Sequence, residues 1–346
     1  MRTSRAGLLV LTAIAATVLP PTLPQAQSTR ERLPREAFDV IPPADRIEGK
    51  RGSFRIAQPG CRVGPLGPHT RRRIADIAVQ EWAVFGFQTL DQVSVERRLV
   101  PAADGLRLLP DALNPDTGRE RLARRTLRLG QWEDDGAVLA TVAGYWSATP
   151  DGAEVIRKQN AAWNSDFGDT IGWLEPWSAA FISWTMCEAG LGERETFRRS
   201  IAHWEYVDQA IEERATPGRA AYEAYDLGER DIVPGDLLCS ARGQATYRTI
   251  AERRPDLGRY APLHCDVVVK TDAAQGAIFV IGGNVLNSVS LAALRASMVD
   301  GRLRPVSDQD VGGARRWFAH LSLKTGPVEA DALDHSPTVR SFSPSP

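Results

Sequence analysis

The sequence has few cysteines and no arrangement of them suited to a metal. Cys61, Cys187, Cys239 and Cys265 are the full set. No two form a Cys-x-x-Cys pair and Cys/His ligand spacing is absent, which argues against a zinc site; no cofactor is called for. A charge excess of either sign is also missing, with 42 Lys plus Arg against 43 Asp plus Glu. That balance argues against nucleic acid or a polybasic membrane surface as the main partner. The runs Arg71-Arg72-Arg73 and Arg121 to Arg128 therefore read as solvated helix faces. There is no internal repeat, and the apolar run Ala6 to Leu19 is short for a membrane span.

That run does have a role. Arg2 and Arg5 precede it, and prolines and Gln25-Ala26-Gln27 follow, so residues 1–26 have the layout of a secretory signal peptide cut after Ala26. An uncleaved anchor is the alternative. After cleavage no transmembrane segment remains, and the mature protein is expected to be periplasmic or secreted. Disulfides are permitted there, and four cysteines allow three connectivities.

The chain has 346 residues, of which 43% are hydrophobic, enough for a sizeable core. Residues 27–68, rich in Pro, Arg and Gly, read as an extended linker or a strap over the domain surface. A domain is expected over 69–325. Its first helix is predicted from Arg71 to Phe87 by the spacing of Ile74, Ile77, Ala78, Trp82 and Phe85. Residues 90–130 read as an insertion with a short helix near its end. A second helical stripe runs from Trp132 to Trp146. Residues 150–175, with Trp163, Phe167 and Trp173 among Asn, Asp and Gly, read as an irregular stretch that either lines a cleft or packs as a lid.

A further helix is predicted over 197–213, with His203 beside Trp204, Val207 and Ile211. The pattern then changes to strands: Leu237 to Cys239, His264 to Val269 and, after a turn at Ala273 to Gly276, Ala277 to Ile281. From Leu286 to Met298 a short strand at Ser288 to Ser290 is expected to pass into a helix. A last strand lies within Ala314 to Leu323, and residues 326–346 read as a disordered tail. Helices first and strands afterwards indicate an α+β domain.

The centre of this order is Glu175 to Gly190. Trp177, Ala180, Phe181, Trp184, Cys187 and Leu191 recur at helical steps, Pro176 suits a first turn, and Gly190 supplies the stop. The helix therefore begins near Ser178, beside unpaired backbone N–H groups and the positive end of the dipole. Ser178 either caps this helix or acts from it. Acyl transfer needs a nucleophile, a base, a group that orients the base, and donors for the oxyanion. Ser178, His264 and Asn284 are the candidates for the first three. A hairpin of the two strands around Ala273 to Gly276 would bring His264 and Asn284 to one end. His203 is an alternative base with no visible orienting partner. Asp266 is an alternative orienting group, expected to reach His264 only through a bend in the strand.

Trp177-Ser178-Ala179-Ala180-Phe181 resembles the Cys-x-x-Phe helix start of NlpC-type and CHAP cell-wall peptidases and amidases. Pro234-Gly235-Asp236-Leu237, His264-Cys265-Asp266-Val267-Val268 and Gly282-Gly283-Asn284 resemble motifs that follow in those papain-like families. Together with Ala202-His203, the pattern is most similar to the bacterial domain of unknown function 2272, over roughly residues 70–325. The resemblance implies helices packed on a small antiparallel sheet with a cleft at the helix start. It also implies Ser178 as nucleophile, His264 as base and Asn284 as its orienter. Trp173, Trp177 and His203 are, from their positions in the sequence, the candidates for lining the substrate groove. The families pair the strands that carry Cys239 and Cys265, which makes a Cys239–Cys265 disulfide the favoured link. The implied activity is hydrolysis of an amide bond, the partner being a peptidoglycan fragment or related cell-wall peptide. The alternative is a catalytically inactive module that binds such fragments or a partner protein. The departure is the nucleophile: a family thiol can rest as a thiolate, whereas a serine hydroxyl must lose its proton during attack.

Overall fold

The computed structural model describes residues 31–93, 99–102, 105–108, 125–128, 130–306 and 315–342. The expected signal peptide, 1–26, lies outside the described residues. The first described segment carries the short pair β1 (Ile47–Glu48) and β2 (Arg55–Ile56) and leads into α1 (Pro68–Val84). The strands β3 (Thr89–Asp91), β4 (Leu99–Ala102), β5 (Gly105–Leu108) and β6 (Arg125–Arg128) precede four helices: α2 (Leu139–Tyr145), α3 (Gly152–Trp163), α4 (Ser178–Glu188) and α5 (Trp204–Ala215). Next come β7 (Tyr222–Tyr225), β8 (Leu237–Ala241), the short α6 (Ile250–Arg253), β9 (Leu263–Asp272), β10 (Ala277–Gly282), β11 (Ser290–Val299), β12 (Arg302–Pro305), β13 (Arg316–Leu323) and α7 (Pro337–Phe342). The fold is α+β.

The main sheet has the order β6-β3-β11-β10-β9-β8-β13-β7, with β12 branching from β11. Its pairings are antiparallel except for β11 with β3. α4 packs between this sheet, at β9 and β10, and the helices α1 and α2. All eleven of its residues are buried, so the one-faced burial expected from the sequence extends to the whole circumference. A helix that is largely apolar on every side suits such a position, and its buried polar groups are met by partners: Ser183 Oγ donates to Ser200 O, Thr185 Oγ1 to Phe181 O, and Glu188 pairs with Arg46. Trp177, Phe181, Trp184 and Tyr145 form an aromatic cluster around it.

Residues 31–67 act as a strap. Arg32 makes a two-pronged ion pair with Glu81, Arg46 pairs with the buried Glu188 that ends α4, and a Cys61–Cys187 disulfide ties the strap to the same end of that helix. The motif Pro234-Gly235-Asp236 is built into the core. Asp236 accepts from Arg71 at 2.5 Å, faces His320 Nε2 at 2.8 Å and accepts from the backbone N–H of Leu323 at 3.0 Å. These contacts join α1, β8 and β13.

Several expectations are corrected. Residues 150–175 are not irregular throughout, because α3 occupies Gly152–Trp163 with Val155, Ile156, Gln159 and Trp163 buried. Arg125–Arg128 is a strand on β3 rather than a helix face; residues 121–124 lie outside the described residues. Leu286 to Met298 holds no helix. Its alanine and leucine residues favour one locally, yet β11 pairs with β10 over six positions and with β3 along its other edge. Residues 326–342 are ordered: Leu333 N–H donates to Val269 O at 2.9 Å, Thr271 N–H to Ala330 O at 2.8 Å, and α7 packs on α1.

Candidate functional site

Ser178 is the first helical residue of α4. Trp177 occupies the cap position and no side chain caps the helix, so Ser178 is not its cap. The first backbone bond of this end runs from Phe181 N–H to Trp177 O at 2.9 Å, which leaves the preceding N–H groups without an intrahelical acceptor. The Ser178 hydroxyl turns instead to His203, with Oγ 2.8 Å from Nε2. His203 stands at the start of α5, where the chain returns to the sheet.

The other ring nitrogen fixes the proton on His203. Nδ1 receives the backbone N–H of Cys265 at 3.2 Å and contacts the Tyr206 hydroxyl. A backbone N–H can only donate. It is available because the β9–β10 register ends at Val267–Ile281, before Cys265 is reached. Nδ1 is thus the acceptor, and the neutral ring carries its proton on Nε2, directed at Ser178 Oγ. Burial holds the His203 pKa well below 6.5; the neighbouring His264 and the Arg242 and Arg315 guanidiniums push it the same way, while Asp266 opposes them.

His264 lies beside this pair, with ring centroids 5.0 Å apart, but its nitrogens are engaged elsewhere. Nε2 faces Asp266 Oδ1 at 2.8 Å, and Nδ1 faces Arg242 at 3.4 Å. Arg315 pairs with the second oxygen of Asp266. Burial lowers the His264 pKa to about 4 in spite of the carboxylate. Arg315 and His264 hold the buried Asp266 carboxyl far below its usual value, outweighing desolvation. Asp266 needs no bend to meet His264, because residues two apart on a strand share a face. Gly282 leaves the space: a Cβ there would lie 1.7 Å from Asp266 Oδ1.

Ser178 and His203 open on a cleft of about 450 Å³, lined also by Asp151, Glu175, Trp204, Arg242 and Tyr260. Neither Trp173 nor Trp177 lines it. Trp177 is fully buried, its indole N–H donating to Glu133 at 2.6 Å, and Trp173 packs edge-on against Trp163. Asn284 is at the same end of the hairpin as His264, in a left-handed conformation with φ 53°. The nitrogens of His264 nevertheless face Asp266 and Arg242. The sequence candidates are thus brought to one end of the sheet, but the pair that forms is Ser178 with His203. Tyr206 was missed; its place one helical turn after His203 is the signal that could have supplied a partner for that ring.

The described residues define an α+β protein with a serine–histidine pair at an uncapped helix start. Its cysteines are joined as Cys61–Cys187 and Cys239–Cys265, which fits an oxidising compartment. Among the described residues no helix is long and apolar enough to cross a membrane. The chain belongs to the family described as "Uncharacterized protein conserved in bacteria (DUF2272)", whose model matches residues 133–323. No curated protein and no solved structure matches it.

Proposed function

We propose that the protein is a secreted or periplasmic hydrolase of amide bonds in peptidoglycan or related cell-wall peptides, papain-like in plan (NlpC/CHAP type) with serine in place of cysteine. The observation that carries this reading is Ser178 Oγ at 2.8 Å from His203 Nε2 at the mouth of a cleft. The uncapped α4 N–H groups support it as donors for an oxyanion. In this reading His203, rather than His264, is the base. It reacts from its other tautomer, with the Nδ1 proton held by the Tyr206 oxygen and Nε2 free to take the serine proton. Oγ bonds to the substrate carbonyl carbon, Nε2–H passes its proton to the departing nitrogen as the C–N bond breaks, and water then cleaves the ester.

A second reading, an inactive module that binds cell-wall fragments or a partner protein, is favoured by the resting tautomer, which points a proton rather than a lone pair at Ser178. The test is to incubate the mature protein with peptidoglycan and follow fragments by mass spectrometry, beside Ser178→Ala and Ser178→Cys. Fragments that disappear with Ser178→Ala support the hydrolase. Retention of fragments by both parent and Ser178→Ala, with no cleavage by either, supports the module.

A further inference from the structure

The cleft that the proposed hydrolase would use has two chemically unlike ends. At its floor, His203 Nε2–H donates to Ser178 Oγ, so the serine's own proton is left to donate elsewhere; Ser178 is 3% exposed, and no second partner of its oxygen occurs among the described hydrogen bonds. This proton lies at the start of an eleven-residue helix with no side-chain cap. The donor at the floor is therefore the serine hydroxyl, set on the uncapped first turn of α4 and so at the positive end of that helix. Such a place suits an oxygen bearing negative charge.

The mouth has the opposite character. Asp151 and Glu175 line it as exposed carboxylates, and Glu205 is occupied by Ser200 at 2.6 Å. Arg242 is the one cation among the lining residues, and it also faces His264. A free anion passing this acidic mouth is repelled, whereas a molecule that also carries a positive group gains at both ends.

We infer that the cleft receives a zwitterionic peptide fragment, its carboxylate on Ser178 and the α4 N-terminus and its ammonium group toward Asp151 and Glu175. This rests on the hydrolase reading only in sharing its cleft. In the hydrolase the carboxylate is that of the acyl product, so the resting tautomer favours the product-bound state.

The test uses trialanine with both ends free, with the carboxyl end amidated, with the amine acetylated, and with both ends blocked, bound to the mature protein and followed by calorimetry. Amidation is expected to weaken binding by about tenfold to a hundredfold, the loss of a charge-assisted hydrogen bond. Acetylation is expected to weaken it by about two- to fivefold, because the mouth is exposed. Asp151→Asn with Glu175→Gln should erase the acetylation effect and keep that of amidation, and Ser178→Ala should reduce the amidation effect. Equal affinity for the free and amidated peptides, or no binding of either at millimolar concentration, overturns the inference. Peptidoglycan turnover is measured separately on the same preparations. Carboxylate-dependent binding without turnover sinks the hydrolase and leaves this inference standing; turnover without that preference does the reverse.

Discussion

Two histidines stand with ring centroids 5.0 Å apart in this molecule, and their surroundings assign them different work. His203 shares its cleft with Ser178, and its Nδ1 is held by a backbone N–H and a tyrosine. His264 is clamped between Asp266 and Arg242, on a carboxylate that Arg315 also holds. Burial keeps both rings largely neutral. The difference is one of access. Both nitrogens of each ring are engaged, but the partner of His203 Nε2 is a serine hydroxyl at a cleft, whereas His264 meets an ion pair; in the proposed function that access makes His203 the base and His264 a structural group.

The largest effect should come from substitutions that separate the two. Under the proposed function, His203→Gln is expected to remove fragment release from peptidoglycan by about three to six orders of magnitude, as for loss of a member of a nucleophile–base unit. Its melting temperature should stay near that of the parent. His264→Gln should show the reverse emphasis, with measurable turnover and a lowered melting temperature. Equal kinetic losses in the two variants, at equal stability, would erase the distinction.

The next effect is on stability. Asp266→Ala leaves the guanidinium of Arg315, itself 16% exposed, and the His264 Nε2–H facing a void. Removing one partner of a buried ion pair costs about 3–5 kcal/mol, toward the lower end here because Arg315 reaches solvent. Urea denaturation measures this, and an undiminished midpoint would show that the cluster does not hold the strands.

How much of this was legible depended on whether the signal was local. The helix at Ser178 could be read because Pro176 and Gly190 flank it and the Trp177-to-Cys187 spacing runs along it, all within sixteen residues from Glu175 to Gly190. The strands of His264 and Ala277 were legible for the same reason. β11 was misread because its Leu-Ala-Ala-Leu stretch favours a helix locally, and the neighbours that make it a strand come from β10 and the distant β3. The ordered tail was missed since Ala332 and Leu333 are buried only by docking on β9. At the site, the resemblance brought Ser178 and His264 together, but which histidine faces the serine depends on α5 reaching Cys265, across 62 positions of chain. No spacing rule carries that contact.

The comparison also sets a pH dependence. In the unfolded chain His264 titrates near 6.5 and in the folded protein at about 4, so between those values the unfolded state binds more protons. Stability from this group is complete above pH 6.5 and is lost as the pH falls toward 4, by about 1.4 kcal/mol per pH unit. His203, also lowered, adds loss of the same sign. Asp76, a buried carboxyl pushed up to about 6 mainly by desolvation, titrates in the same window with the opposite sign, so the His264 share is read as a difference: between pH 7 and 4 the melting temperature of His264→Gln should fall less than that of the parent. An unchanged slope in that variant would show that His264 is not the group titrating.

The smallest effect probes the proton on His203 itself. Tyr206 packs against Phe197 with stacked rings 4.9 Å apart, so Tyr206→Phe keeps that packing and removes only the hydroxyl at Nδ1. Cys265 N–H is then the remaining polar contact of Nδ1 and holds the ring with its proton on Nε2. A base-competent His203 would have to place an N–H against that backbone donor with no acceptor nearby, a cost of about 1–3 kcal/mol. The variant should therefore lose about fivefold to a hundredfold in kcat with little change in KM, while its affinity for trialanine stays at the parent value. A loss of both together would mean that Tyr206 shapes the cleft as a whole; a loss of kcat alone would show the tyrosine hydroxyl acting on the histidine's tautomer.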